Sequence, residues 1–186
     1  MNMTTLQQGR PENAAERLPV ELACYDLLDK LGIPYGRVDH DEAATLEACE
    51  AVDAALGAEI CKNLFLCNRQ KTQFYLLLIG GAKVFKTKYL SAQLGCARLS
   101  FAAPEDMERL LGVTPGSATV LALMNDPENA VQLVIDRPVT AREYLCCHPC
   151  KNTSSLKIRT ADILERFLPA VGHEPVFVEL PDEETT

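Results

Sequence analysis

The chain has 186 residues, of which 47% are hydrophobic and 24% charged, so it can bury a sizeable core and has the size of one compact domain. This composition excludes disorder and collagen-like order. The longest apolar stretch, 74–79 followed by Gly80, Gly81 and Ala82, is far shorter than the roughly 20 residues that span a bilayer. The first twenty residues lack the apolar core of a secretory signal, so we expect a cytoplasmic location and no membrane partner.

Charge is unevenly distributed along the chain. The net charge of −8 argues against indiscriminate nucleic-acid binding, because phosphate binders usually carry basic patches. Between Cys61 and Ser100, however, there are seven basic residues and no acidic one. They are Lys62, Arg69, Lys71, Lys83, Lys86, Lys88 and Arg98. This block either forms a positive surface that attracts an RNA end or is a solvated face, and the charge count leaves both interpretations open.

The first half of the chain predicts two helices followed by a hairpin. Residues 1–17 are polar and aperiodic, which predicts a flexible N-terminal tail before a single domain over 18–186. Apolar positions repeat at helical spacing over 18–31, and Gly32 follows them. We then expect a strand at 35–38, a helix at 46–56, and a hairpin of strands at 64–66 and 74–79.

The second half predicts further short elements. We expect a strand at 83–85, helices at 89–94 and 104–111, strands at 118–123 and 131–136, a strand at 156–159, a helix at 161–168 and an end strand at 176–178. Helices and strands alternate without regular βαβ units. The sequence therefore predicts an α/β fold of the α+β kind, a mixed and mostly antiparallel sheet with packed helices.

Eight cysteines are present, and without an export signal they are expected to be reduced. Cys24, Cys49, Cys61 and Cys67 occupy apolar positions of predicted elements and are interpreted as packing residues. The run from Cys146 to Cys150 places a C-x-x-C around His148, a spacing that suits redox exchange or a metal. No second ligand pair with zinc-site spacing accompanies it, so no metal is assigned. A thiol or metal protein remains an alternative.

Three other features stand apart from packing: Lys62-Asn63 at the start of an apolar strand, Gly116-Ser117 in a loop, and His148 with Asn152-Thr153. Taken singly, the lysine is typical of an edge residue and the histidine of a structural one. Together they supply a cation, a bend of backbone amides and a His/Asn pair. Such a set could line a pocket for an anionic or carbonyl-bearing ligand.

Six passages in order also resemble one family. They are 40–47, 62–66, 98–102, 111–117, 125–126 and 172–175. The chain resembles the YbaK-type aminoacyl-tRNA deacylases from about His40 to Leu180, and most of all their free-standing branch, the prolyl-tRNA editing proteins. The resemblance implies a hydrolase that removes a mischarged amino acid, alanine first, from the acceptor end of proline tRNA. It implies no cofactor, and it suggests association with prolyl-tRNA synthetase.

The resemblance also implies roles for individual residues. Lys62, His148 and Gly116 would be catalytic; Asn63, Ser117, Asn152, Thr153 and His40 would bind substrate. Two positions depart from the family pattern: Val120 stands where the glycine loop has a proline, and Cys147 where an aromatic residue is common. Both are expected to border the aminoacyl pocket and to influence which amino acid is removed. A tRNA-binding or regulatory module without turnover remains an alternative.

Overall fold

The computed structural model describes residues 1–43 and 45–182, so residues 183–186 of the predicted domain lie outside the described residues. The strands are β1 (Gln7–Gln8), β2 (Tyr35–Asp39), β3 (Lys62–Cys67), β4 (Phe74–Ile79), β5 (Ser100–Phe101), β6 (Val131–Asp136), β7 (Tyr144–Cys147), β8 (Ser154–Arg159) and β9 (Val176–Val178). They form a four-stranded sheet in the order β1-β2-β8-β7 and a five-stranded sheet in the order β5-β3-β4-β6-β9.

The helices are α1 (Pro19–Lys30), α2 (Leu46–Leu56), α3 (Thr87–Leu94), α4 (Pro104–Leu111), α5 (Arg137–Thr140), α6 (Thr160–Asp162) and α7 (Leu168–Val171). A π-helical turn, Ile163–Phe167, joins α6 to α7, and 3-10 turns lie at Ala14–Glu16 and Val120–Asn125. In the described part of the chain, no helix combines the length and apolar character needed to cross a bilayer.

The fold class predicted from the sequence is confirmed, with two sheets in place of one. All pairs in the four-stranded sheet are antiparallel. In the five-stranded sheet β3 pairs antiparallel with β4 and β5, whereas β6 runs parallel to β4 and β9. The largest core cluster draws on both sheets, together with α1 and the C-terminal helical segment.

The sequence of strand β4 is a continuous apolar run because both of its faces are buried. Leu76 and Leu78 pack into the large core cluster, whereas Leu77 and Ile79 pack on the opposite face with Leu90 of α3. A strand that is buried on both faces needs apolar side chains in both alternating sets. The predicted hairpin of β3 and β4 is therefore the centre of the five-stranded sheet.

Two predicted strands do not form. Residues 83–85 form no strand, and Lys83 instead turns its ammonium to Asp136, 2.8 Å away. Residues 118–123 contain most of a 3-10 turn, and Val120 to Leu123 are all fully buried, so their apolar run reflects burial on every side and not a sheet. Strand β7 is not predicted from the sequence, because its cysteines are interpreted as part of the Cys146–Cys150 motif.

Residues 1–17, predicted as a flexible tail, contribute a strand to the four-stranded sheet. Gln7 and Gln8 pair with β2, the Gly9 N–H donates to the Tyr35 carbonyl at 2.8 Å, and the Thr4 N–H donates to the Asp39 carbonyl at 2.9 Å. Strand β2 would otherwise present unpaired backbone groups at an edge. The predicted boundary at residue 18 therefore divides this sheet.

A buried ion pair in the five-stranded sheet yields a stability prediction. The Asp136 side chain is fully buried and the Lys83 side chain is 8% exposed. Lys83→Met leaves Asp136 with an uncompensated buried charge, so we expect a loss of about 3 kcal/mol of unfolding free energy. Urea unfolding measures it. Lys71→Met is the matched control, because Lys71 pairs with Asp106 at the surface and its loss should cost under about 1 kcal/mol. Equal losses in both variants would contradict the prediction.

Candidate active site

The two sheets meet where β3 begins and β7 ends. Ile60 and Cys146 form a parallel bridge, and the Cys61 N–H donates to the Cys146 carbonyl at 3.2 Å. In this register Lys62 and His148 each follow the bridge by two residues. The backbone contact thus brings the predicted lysine and histidine to one place although 86 positions separate them in the sequence.

A pocket of about 320 Å³ lies at this junction. Four predicted site residues line it: Lys62, Asn63, Gly116 and His148. Its other walls are mostly apolar: Cys61, Leu64, Phe65, Phe101, Ala102, Met107, Pro115 and Ala118. Ser117, Asn152, Thr153 and His40 are not among its lining residues, so the structure divides the predicted set into a wall and a surrounding layer.

Lys62 is exposed at the pocket. Its Nζ donates to the Lys83 carbonyl at 3.0 Å, and no carboxylate of the described residues lies within ion-pair distance. Asn63 beside it donates from Nδ2 to the Cys61 carbonyl at 3.0 Å. The ammonium is therefore an uncompensated positive charge at the pocket mouth, suited to a phosphate or a polarised carbonyl.

The glycine loop forms a β-turn at the other side of the pocket. The Ser117 N–H donates to the Thr114 carbonyl at 3.0 Å, and Gly116 at the third position has φ of +86°. This positive φ favours glycine. The turn uses the Ser117 amide, but within the described chain no acceptor bonds the N–H of Gly116 or Ala118. These two amides, and not that of Ser117, are the free donors near the pocket.

Ser117, Asn152 and Thr153 support the loops behind the wall. The fully buried Ser117 Oγ accepts from the Asn152 N–H at 3.1 Å. A Cβ at position 116 would meet Asn152 Nδ2 at 3.1 Å, so the glycine also permits this close packing. The Thr153 carbonyl accepts from the His40 N–H at 3.0 Å. These residues hold the glycine turn against the histidine loop.

His148 is half-buried and its ring is oriented by the backbone. Nδ1 lies 2.8 Å from the Ser154 carbonyl, which can only accept, so Nδ1 carries the proton. No described residue hydrogen-bonds Nε2. Burial lowers the pKa of His148 below its usual value, the Ser154 carbonyl opposes this, and the nearby His40 lowers it further. At neutral pH the ring is uncharged, with its Nε2 lone pair available as an acceptor.

His40 lies behind His148 and does not line the pocket. Its Nδ1 donates to the Asp41 carbonyl at 2.7 Å, and its Nε2 is 2.8 Å from Ser155 Oγ. Ser155 Oγ is in turn 3.4 Å from Nδ1 of His148, and the two rings are 6.2 Å apart. His40, predicted as a substrate ligand, is placed as a support for His148. Sequence analysis missed Ser155, whose position two residues after Thr153 carries no signal by itself.

The cysteine cluster is packed in the interior. Cys146, Cys147 and Cys150 are all buried, and burial raises the pKa of Cys146 to about 12 and that of Cys147 still higher. Cys150 Sγ lies 3.2 Å from Cys24 Sγ, so α1 holds it and the C-x-x-C is not a facing pair. Among the described residues no metal-site cluster of His, Cys, Asp or Glu is found. Cys49, expected to pack, is exposed.

Comparison with known proteins identifies the family. The aminoacyl-tRNA editing domain family matches residues 40–165, a span that includes Lys62, Gly116 and His148. The chain belongs to this family. The resemblance inferred from the sequence is therefore confirmed, and so is the class of activity it implied, an aminoacyl-tRNA deacylase.

Individual relatives of this editing domain agree. The prolyl-tRNA editing protein ProX of Acetoanaerobium sticklandii is 30% identical, over 82% of this chain and 93% of that protein. The prolyl-tRNA synthetase associated domain-containing protein 1 of Danio rerio is 32% identical, over 82% and 83%. A solved structure of a proposed trans-editing enzyme for prolyl tRNA synthetase has a TM-score of 0.64 at 16% identity, over 89% of this chain and 99% of that one, and supports the fold alone.

The protonation state of His148 gives a prediction for its pKa and for the pH dependence of deacylation. Imidazole NMR should show His148 titrating below the usual 6.5 of a histidine, because burial disfavours the charged ring. His148→Gln assigns the signal. His40→Gln should move the His148 pKa upward, since it removes the electrostatic effect of His40 that lowers this pKa. Acidification through this pKa protonates Nε2, so deacylation should fall as the pH decreases below 6.5. A His148 pKa at or above 6.5 would contradict this account.

Proposed function

We propose that this editing domain acts in trans on mischarged proline tRNA and hydrolyses the ester that joins alanine to the terminal ribose. The observation that carries the proposal is the convergence of Lys62, the Gly116 amide and the neutral His148 on one pocket of about 320 Å³. The names of the relatives, a prolyl-tRNA editing protein and a prolyl-tRNA synthetase associated protein, support proline tRNA as the carrier.

The three groups have complementary tasks in ester hydrolysis. Lys62 holds the terminal phosphate or the ester carbonyl, and the free Gly116 N–H donates to the carbonyl oxygen as negative charge develops on it. His148 accepts a proton through Nε2 from the attacking water, either directly or through the adjacent ribose hydroxyl as a relay. The attacking oxygen bonds to the carbonyl carbon, the bond to the ribose oxygen breaks, and that oxygen takes up a proton.

An activated ester makes modest demands on the protein. An aminoacyl ester is already reactive, so orientation and charge stabilisation supply most of the acceleration. No nucleophilic serine or thiol is needed. The raised pKa values of the buried Cys146 and Cys147 thiols agree with this, because these thiols stay protonated.

The pocket wall supports a small apolar amino acid as the acyl group that is transferred to water. Leu64, Met107 and Ala118 present hydrocarbon surface beside Lys62. Val120 and Cys147, the two departures expected to border the pocket, are instead fully buried in the core and do not line it. These two departures from the family pattern therefore do not change the residues of the pocket wall, and alanine remains the proposed acyl group.

Association with prolyl-tRNA synthetase and a cytoplasmic location remain predictions that accompany this proposal. Both follow from the substrate, since a misacylated tRNA is released by the synthetase and must be met before it is used in translation. Size-exclusion chromatography of the protein mixed with the synthetase, with and without tRNA, tests the association.

Lys62→Ala tests the catalytic assignment. Loss of the ammonium should lower kcat/KM for alanyl-tRNA(Pro) by about 10²- to 10³-fold, the range typical for one group that stabilises a developing charge. Single-turnover deacylation measures it. Lys71→Ala is the control, because Lys71 belongs to the same basic block but lies in the β3–β4 turn, and it should react like the wild type. A Lys62→Ala enzyme that retains the wild-type rate would overturn the assignment.

A deacylation panel tests substrate choice. Proline tRNA charged with alanine, serine, cysteine or proline should lose alanine fastest, whereas a larger side chain is disfavoured by roughly 1–3 kcal/mol per misfitted methylene, about 10- to 200-fold. Faster release of serine or cysteine would change the assigned acyl group, whereas the proposed hydrolysis reaction would stand. If the wild type binds the tRNA and hydrolyses none of the four, the non-catalytic binding module is the right interpretation.

A further inference from the structure

The basic block between Cys61 and Ser100 contains some side chains that pair with carboxylates and others that do not. Lys83 is paired with Asp136 and Lys71 with Asp106. Lys88 and Arg98 are both exposed, and no carboxylate of the described residues lies within ion-pair distance of either. Their positive charge is therefore open to an anionic partner, although the protein as a whole carries −8.

Lys88 and Arg98 border a groove with aromatic walls. The groove encloses about 550 Å³ and is lined by Phe85, Lys86, Thr87, Lys88, Arg98 and Phe101. Phe101 is 63% exposed, an unusual state for a phenylalanine, and Phe85 meets it edge-on with the ring centres 6.3 Å apart. An exposed ring that is held edge-on by a second ring offers a flat, oriented face.

Phe101 also lines the pocket that contains Lys62 and His148. The groove and the pocket are thus adjacent and share this side chain. A chain that occupied both would carry its reacting end beside Lys62 and its preceding units across Phe101 toward Lys88 and Arg98.

We propose that this groove binds the unpaired 3′ end of the tRNA, with a base stacked on Phe101 and backbone phosphates beside Lys88 and Arg98. The inference rests on the proposed function, which places the terminal ribose in the pocket. Aromatic faces flanked by uncompensated cations are the combination that holds single-stranded nucleic acid. Binding to a lipid surface would require a wider apolar patch than these two rings provide. Binding to a protein would not by itself account for cations that lack acidic neighbours.

The chain offers a matched control for Phe101. Phe177 is also exposed, at 39%, and it lies on β9, the opposite edge of the same sheet from β5. It too has an arginine nearby, since Arg137 lies over its ring at 5.6 Å. Phe101→Ala and Phe177→Ala therefore remove the same group from two edges of one sheet, and only the first edge adjoins the pocket.

Binding of uncharged proline tRNA, followed by fluorescence anisotropy, tests the groove. Phe101→Ala should weaken binding by about 5- to 150-fold, the range for loss of one stacked base. Phe177→Ala should stay within about twofold of the wild type, and Phe101→Tyr, which keeps an aromatic face, should bind nearly normally. On tRNA that lacks its last three nucleotides, Phe101→Ala and the wild type should bind alike. Thermal unfolding establishes that each variant is folded.

The outcomes separate this inference from the proposed function, because uncharged tRNA undergoes no hydrolysis. Normal binding by Phe101→Ala, an equal loss in Phe177→Ala, or a loss that persists on the shortened tRNA would overturn the groove, even if the wild type hydrolyses alanyl-tRNA(Pro). A wild type that binds no tRNA would overturn it too. The predicted binding pattern without any hydrolysis would support the groove and overturn the proposed function.

Discussion

The contact between the Cys61 N–H and the Cys146 carbonyl is the constraint on which the active site depends. It joins the start of β3 in one sheet to the end of β7 in the other, and the parallel register at Ile60 and Cys146 carries Lys62 and His148 to corresponding positions. Backbone geometry, rather than attraction between the two side chains, brings a cation and an imidazole together. Both groups therefore line one pocket without forming a hydrogen bond to each other.

The histidine shows how the surrounding layer prepares the pocket. A carbonyl at Nδ1 and a partly buried ring keep His148 neutral, and no described residue hydrogen-bonds its Nε2. Ser155 and His40 stand behind it and complete a hydrogen-bonded set that includes both ring nitrogens of His40 and Nδ1 of His148. Buried polar groups arranged in this way hold one orientation, because any rotation leaves a donor or acceptor unsatisfied.

Electrostatics adds selectivity at longer range. The protein as a whole is acidic, whereas Lys62, Lys88 and Arg98 of its one basic segment, unpaired by the described carboxylates, line the pocket and the groove beside it. The basic residues that do pair with acidic ones serve the fold, as Lys83 does for the buried Asp136. The same basic segment thus contains residues that stabilise the fold and residues whose charge remains open to a ligand, and only their ion-pair contacts distinguish the two groups.

Local periodicity and end signals were sufficient for α1, α2, α4 and the β3–β4 hairpin, because their patterns report burial on one face or two. The sequence by itself also determined the family, and it predicted catalytic roles for Lys62, Gly116 and His148, which line one pocket in the structure. It failed at 118–123, where complete burial imitates a strand, and at β7, whose cysteines imitate a ligand cluster. Only the tertiary structure decided that His40 supports the site from behind, that Val120 and Cys147 lie in the core, and that Phe101 adjoins the pocket. Such facts depend on how two separate sheets meet, and no spacing along the chain encodes the distance between residues on different sheets.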